Sequence, residues 1–419
     1  MKKHFVLFIM LFAFLYGSAE NNFINYHGNT DMTKSLQPGI NADEHIPILA
    51  WYSIPSSQTS VERYKELRED GITYSFSSFP NLEEVKKALE AAEQADVKLM
   101  ISCPQLNKDP EGTVKQLMKY PALAGYHLKD EPNMEHFSEL SVCAKKIQSI
   151  DKKHFCYVNM FPNYATPEQL KAESYEEYVA EYYRQIPVSF GSFDFYPILK
   201  NKVIEEWYKN LEVVSAQSMK AGKPFWAFVL TTNYDNNHLT PQSLPAMRLQ
   251  AYTNLAYGAQ GIEYFTYWSA TSVNTPSGED QRGAPISATG KRSILYDRVK
   301  QLSQEIKDLS WVFSGARVIS VRHTGTDMIP AGTIRLTSLP DPVKVLDTHG
   351  SPALVSVLQN GEKSFLVIVN KDFLNSMKYT IYGDESLKRV LKDGTVVPAG
   401  AYEPSMELDP GDVGIYMFP

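Results

Sequence analysis

Residues 72–103 read ITYSFSSFPNLEEVKKALEAAEQADVKLMISC. An apolar, aromatic run at 72–79 is followed by a charged periodic segment at 81–94 and a second apolar run at 97–103. Asn81, with Glu83 and Glu84 just after it, has the signature of a helix start. Its side chain accepts an orphan backbone N–H, and acids suit the positive end of the helix dipole. The two flanking runs lack polar–apolar alternation and suit strands buried on both faces. The stretch is one β-α-β unit.

The same rhythm continues in both directions. Strand candidates lie at 46–54, 72–79, 97–103, 123–129, 154–160, 189–196, 225–230 and 261–268. Helical patterns lie at 60–70, 81–94, 111–118, 136–150, 175–184, 202–221, 241–257 and 292–309. Eight alternations over about 260 residues predict an α/β fold, a (β/α)8 TIM barrel spanning 45–312. A doubly wound open sheet is the rival. It is weakened by the strand count and by the lack of a Gly-rich phosphate loop after the first strand.

After Trp311 the rhythm changes to short strand-like runs at 316–321, 333–337, 353–359, 364–370, 378–381, 388–391 and 414–417. Turns such as Asn360-Gly361, Lys392-Asp393-Gly394 and Pro410-Gly411-Asp412 separate them, predicting a C-terminal β-sandwich over 313–419. At the other end, Lys2 and Lys3 precede an apolar run at 5–16 and the small residues Gly17-Ser18-Ala19. This is the pattern of a signal peptide over 1–19, followed by a polar leader at 20–44. The run is short for a spanning helix, and no cysteine follows it to take a lipid. The expectation is a bacterial protein exported to the periplasm or beyond, with no membrane insertion once the signal is removed. A formal net charge of −7 argues against nucleic acid as a partner. The three cysteines, Cys103, Cys143 and Cys156, form no C-x-x-C pattern, so neither a zinc site nor a disulfide scaffold is indicated. A Cys143–Cys156 bridge and buried free thiols both remain open.

In a TIM barrel the active site lies at the C-terminal strand ends. The strongest signal there is Gly125-Tyr126-His127-Leu128-Lys129-Asp130-Glu131-Pro132-Asn133, where two adjacent acids end a buried strand. Carboxylates crowded at a barrel mouth are partly desolvated, which keeps one of them protonated as a general acid requires. Adjacent strand residues point to opposite faces, so only one aims into the cleft unless the backbone turns. The structural alternative is a helix cap ahead of Pro132.

The segment GYHLKDEPN (125–133) resembles the strand-four acid/base segment of the clan A glycoside hydrolases. LAYGAQGIEYFTYWSA (255–270) is similar to the last barrel helix and strand of family 42 β-galactosidases and their relatives. SFLVIVNKD (364–372) and LDPGDVGIYMF (408–418) resemble the sandwich many such enzymes carry. The resemblance implies Glu131 as the catalytic acid/base. It also implies Trp268, often joined by a cis peptide to its successor Ser269, as the platform flooring the sugar pocket. The chain departs from the family at strand seven, where the nucleophilic Glu should stand. KPFWAFVLTTN (223–233) has no acid, and the next one is Asp235.

Both standard mechanisms of glycoside hydrolysis need a second carboxylate. Asp194, in GSFDFYPI with Tyr196 two residues on, is the favoured candidate, the alternative being a loop cap. Glu263 lies inside strand eight, on the face opposite Trp268 by strict alternation, which suits a structural ion pair; Asp235 lies in a polar loop as a candidate substrate contact. Acid pairs like Asp130-Glu131 also occur in hexosaminidases, where the Asp orients the substrate's own acetamido group. Position alone suggests Trp51, Tyr52, Phe76, Ser78, Gln105, Asn159, Asn163, Tyr164, Tyr196 and Trp268 as substrate contacts, with the polar loop 271–285 edging the cleft. Asn159 stands out because an amide inside FCYVNMF demands a hydrogen-bond partner. The expected function is O-glycosidic cleavage in a poly- or oligosaccharide, with no cofactor or metal called for. The rivals are a non-catalytic carbohydrate-binding protein of this descent and a barrel acting on a non-sugar substrate.

Overall fold

The computed structural model describes residues 45–199, 201–234, 243–269, 281–326, 328–402 and 406–419. The expected signal peptide and leader, Asp235 and most of the loop at 271–285 lie outside these residues. Eight parallel strands close into a barrel: β1 (Ile48–Trp51), β2 (Tyr74–Ser78), β3 (Lys98–Ser102), β4 (Leu123–Asp130), β5 (Phe155–Met160), β6 (Gly191–Phe193), β7 (Phe225–Leu230) and β8 (Ile262–Phe265). They pair in chain order and β8 returns to β1, with Trp51 opposite Phe265. Helices fill the connections, and their starts are capped as the residues dictate. Asn81 Oδ1 accepts from the Glu84 N–H at 3.0 Å, and Ser60, Asp109, Ser174 and Ser243 cap likewise.

Three elements, β1, β6 and β8, cover half or fewer of the residues in their apolar runs. β6 covers three residues of the 189–196 run, and Pro197, which has no N–H to give a ladder, lies four residues on. β8 stops at Phe265, whose peptide bond to Thr266 is cis.

The barrel interior is filled mainly by rings: Trp51, Tyr74, Phe76, Phe155, Tyr157, Phe190, Trp226, Phe228 and Phe265. Such bulk fits only where neighbours are reduced to nothing. A Cβ on Gly125 would stand 2.4 Å from the Phe155 ring, and one on Gly261 would stand 2.4 Å from the Trp226 ring. Phe190 stacks on Trp226 at 4.3 Å, closing the lower barrel. These layers form a floor beneath the acid cluster.

The C-terminal part is antiparallel. Its six-stranded sheet runs β9 (Arg317–His323), β11 (Ala353–Asn360), β12 (Lys363–Asn370), β17 (Val413–Phe418), β14 (Lys388–Val390) and β15 (Val396–Pro398). A three-stranded sheet of β10 (Val343–Asp347), β13 (Met377–Gly383) and β16 (Met406–Leu408) covers one face. Period-two alternation sends Val355, Leu366, Ile368 and Tyr416 to that inner layer. Leu354, Leu358, Phe365, Val367 and Val369 go to the barrel side and join its outer core. Both faces of β12 are therefore covered, which is why it reads as an unbroken apolar run. The three cysteines are free thiols.

Candidate active site

The end of β4 is irregular in two ways. Its register against β5 shifts between His127 and Lys129, so that Asp130 lies opposite Asn159. Glu131 then adopts a left-handed conformation, φ 42°, which is uncommon for any residue but glycine. A bulge re-aims the side chains after it, and the turn breaks the alternation that would have separated Asp130 from Glu131. The turn is held from two sides. The Glu131 N–H donates to Asn159 O at 3.0 Å. The Tyr178 hydroxyl, from the helix Tyr175–Gln185, donates to Pro132 O at 2.7 Å; burial pushes that phenol upward, and the Glu131 charge adds to it. A strained backbone held by such partners is a recurrent mark of functional sites.

Asn159 is 2% exposed and sits between two acids. Its Nδ2 donates to Asp194 Oδ1 at 2.7 Å and to Asp130 Oδ1 at 3.1 Å. The two hydrogens of one amide nitrogen can serve both carboxyl oxygens at once. Burial, and then the Asp130 charge, push Asp194 up to about 7, while donation from Asn159 and Tyr196 opposes the shift. Asp130 stands at the rim with much of its surface open, yet crowding of the carboxyl still raises it, again against Asn159.

Glu263 lies one layer deeper, fully buried. Tyr157 Oη is 2.7 Å from its Oε1, and Ser192 Oγ is 2.5 Å from its Oε2. Ser192 Oγ is also 2.7 Å from Tyr157 Oη and 3.0 Å from Asn159 Oδ1. Burial raises Glu263 to about 8, against the two hydroxyls and with the Asp194 and Asp130 charges. A continuous hydrogen-bonded chain thus joins the barrel interior to the acids at its mouth.

The wall around this cluster is aromatic. The Tyr196 ring lies 5.2 Å from Phe265, and Tyr52, itself left-handed with φ 43°, lies 5.9 Å from Phe265 on the other side. Beneath them His127 packs 4.7 Å from Phe76 and 5.5 Å from Trp51; burial drives its imidazole down to about 4, so it is neutral.

The structure brings Asp130, Glu131, Asn159, Asp194, Tyr196 and Glu263 to one end of the barrel and changes the reading of several others. Trp268 is 5% exposed in the outer core, with the Arg63 guanidinium 5.2 Å over its ring, so it floors nothing. The cis bond lies three residues earlier, at Phe265–Thr266, and Phe265 is the β8 ring at the mouth. Trp51 is 3% exposed beneath the site and offers no face to a ligand. Glu263 faces inward and has hydroxyl partners in place of the expected ion pair, but it is too deep to touch a substrate. Asn159 positions acids from below. Gln105 is half-buried after β3 with its Oε1 unpartnered, and no contact joins it to the acid cluster. Tyr157, Ser192 and Phe265 were missed. Each stands two residues from a candidate (Asn159, Asp194, Glu263), so period-two alternation alone points to them.

A cavity of about 960 Å³ opens at the opposite end of the barrel, among His45, Ile48, Thr73, Tyr74 and Lys98 at the strand starts. Its volume does not mark the active site, because that face of the fold serves stability.

No family model matches the sequence, and no curated protein matches it. Solved structures do. A GH42 β-galactosidase from G. stearothermophilus superposes with a TM-score of 0.58 at 8% identity, over 92% of this chain and 100% of that one. A β-galactosidase from the psychrophilic Marinomonas ef1 gives 0.54 at 10% identity, over 89% and 100%. At these identities the likeness is one of fold, shared with barrel glycoside hydrolases.

Proposed function

We propose that this protein is an exported glycoside hydrolase that cleaves O-glycosidic bonds in a poly- or oligosaccharide, with Glu131 as general acid/base and Asp194 as second carboxylate. The observation that carries the reading is the acid cluster at the C-terminal mouth of the barrel, with Asp130 and Asp194 held by one amide and Glu131 next in the chain on a left-handed turn. The neighbours' β-galactosidase activity supports the substrate class and no finer assignment. Glu131 protonates the departing glycosidic oxygen. Asp194 acts in its ionised form, which Asn159 and Tyr196 stabilise by donation; burial makes that form scarce below about pH 7. The rings of Tyr52 and Tyr196, backed by the buried Phe265, present flat apolar faces to the C–H surface of a sugar.

The adjacency of Asp130 and Glu131 favours a second reading. In it Asp130 orients a 2-acetamido group that attacks its own anomeric carbon, and strand seven needs no acid. Reducing-sugar release across a polysaccharide and oligosaccharide panel that includes N-acetylhexosaminides tests both, with Glu131→Gln as control. Turnover lost in Glu131→Gln supports the first reading, and turnover confined to N-acetylhexosaminides supports the second. Turnover that survives Glu131→Gln moves the chemistry elsewhere. Saturable sugar binding without turnover makes the protein a carbohydrate-binding descendant of such enzymes.

A further inference from the structure

The group formed by Glu263, Tyr157, Ser192 and Asn159 has a proton count that constrains its state. Four contacts need a hydrogen: Tyr157 to Glu263 Oε1, Ser192 to Glu263 Oε2, Ser192 to Asn159 Oδ1, and the one between Tyr157 and Ser192. Two hydroxyls supply two hydrogens. With Glu263 ionised, both go to the carboxylate, and Asn159 Oδ1 then faces only a lone pair of Ser192. Its amide loses the donor that tells oxygen from nitrogen and holds the NH2 toward Asp130 and Asp194. With Glu263 protonated, a third hydrogen appears, and only the Tyr157–Ser192 contact, whose two oxygens are both bonded elsewhere, goes without one. Glu263 donates to Ser192, Ser192 donates to Asn159 Oδ1, and Tyr157 donates to Glu263 Oε1. Every member then has a partner, as burial demands.

We infer that Glu263 is a neutral, hydrogen-donating anchor that orients Asn159 through Ser192, and so positions the Asp130–Asp194 pair for the hydrolysis proposed above. The groups facing it agree. β1 and β7 place Leu49 and Phe228 opposite it and bring no cation. The ionisable neighbours are Tyr157, Asp194, Asp130 and the more distant Tyr182, all anionic or neutral; the two aspartates oppose a charged Glu263, and only hydroxyl donation from Tyr157 and Ser192 favours one. The raised pKa of the carboxyl has the same sense. As a positioning role in catalysis the inference rests on the hydrolase reading. The protonation state does not.

The experiment compares the wild type with Glu263→Gln, Glu263→Leu and Ser192→Ala, each first checked for folding by thermal melting. Gln keeps one donor and one acceptor in the same place, and Leu removes both. Infrared difference spectra near pH 7 should show a protonated-carboxyl C=O band in the wild type that Glu263→Gln lacks. In carboxyl 13C titrations Asp194 should keep its midpoint in Glu263→Gln and rise in Glu263→Leu and Ser192→Ala. If a sugar is turned over, Glu263→Gln should stay within about threefold of wild-type kcat. Glu263→Leu should lose about tenfold or more in kcat, with KM little changed and the acidic limb of the pH profile moved upward, the effect of one lost hydrogen bond or more. No band difference, or Gln as damaging as Leu, overturns the inference, as does an unmoved Asp194 midpoint in both Glu263→Leu and Ser192→Ala. If Glu263→Leu does not fold, Ser192→Ala carries the test. Should the wild type turn over no sugar, the hydrolase reading fails alone, and the infrared and titration results still decide the anchor.

Discussion

Replacing Asn159 by Ala removes a side chain that donates to both Asp130 and Asp194. Two bonds to acids are lost, at 2.7 and 3.1 Å, in a site where the amide is 2% exposed. Hydrogen bonds to charged groups contribute about 1.5–3 kcal/mol each. A water taking the vacated space would return part of that, so a net loss of about 1.5 kcal/mol at Asp194 is a conservative figure. At 1.36 kcal/mol per unit, the Asp194 midpoint should rise by about one unit from its starting value of about 7. The direction follows from Asn159 donating only to the ionised form it stabilises. At pH 7 the ionised fraction of Asp194 would then fall from about half to about a tenth. The midpoint is read by 13C titration of labelled carboxyls. The acidic limb of any pH–rate profile should move up by the same amount. Stability should also fall more steeply with pH, because the folded variant holds a proton that the unfolded chain has released. An Asp194 midpoint that stays put or falls in Asn159→Ala would refute the assignment of Asn159 as the shared donor.

Other predictions concern the scaffold. Burial raises Asp70 and Glu263 to about 8, and Asp194 and Glu212 to about 7. Between their unfolded values near 4 and these folded ones, folding retains protons, so stability should fall as pH climbs from 6.5 to 8. The slope is up to about 1.4 kcal/mol per unit for each group. The buried imidazoles of His127 and His323, pushed down to about 4 and about 3, and Lys371, lowered to about 8 by burial, act oppositely in parts of this window but together by less than the four acids. Urea melts at the two pH values decide it, and equal midpoints would contradict the buried neutral acids. Gly261→Ala puts a Cβ 2.4 Å from the Trp226 ring and should cost about 1–3 kcal/mol, read as a lowered Tm. Arg248 Nε donates to Glu305 Oε2 at 2.9 Å in a buried pair completed by the Tyr252 hydroxyl. Arg248→Met should therefore cost about 3–5 kcal/mol, and a urea midpoint within error of wild type would show the pair to be dispensable.

Strand-ending acids are legible because the fold class restricts where chemistry sits. Once 72–103 reads as a β-α-β unit repeated eightfold, Asp130, Glu131 and Asp194 fall at strand ends from their spacing alone. Trp268 was misplaced for a related reason. Its position was counted along an ideal strand and matched to a family pattern, but β8 stops at Phe265 and the chain then leaves the barrel face.

Periodicity is local, and it carried what could be determined from the amino acids by themselves. That comprises the barrel and the antiparallel layers after it, the helix start at Asn81, and the acids at the end of strand four. Tertiary structure decided what depends on register between strands distant in the chain. Asn159 is 29 residues from Asp130 and 35 from Asp194, and Tyr157 is 106 from Glu263. Whether these side chains meet depends on a bulge in β4, a left-handed residue at Glu131 and closure of β8 onto β1. Those features arise from packing large rings into a closed barrel of fixed circumference, a constraint acting on all eight strands at once and written in no single segment.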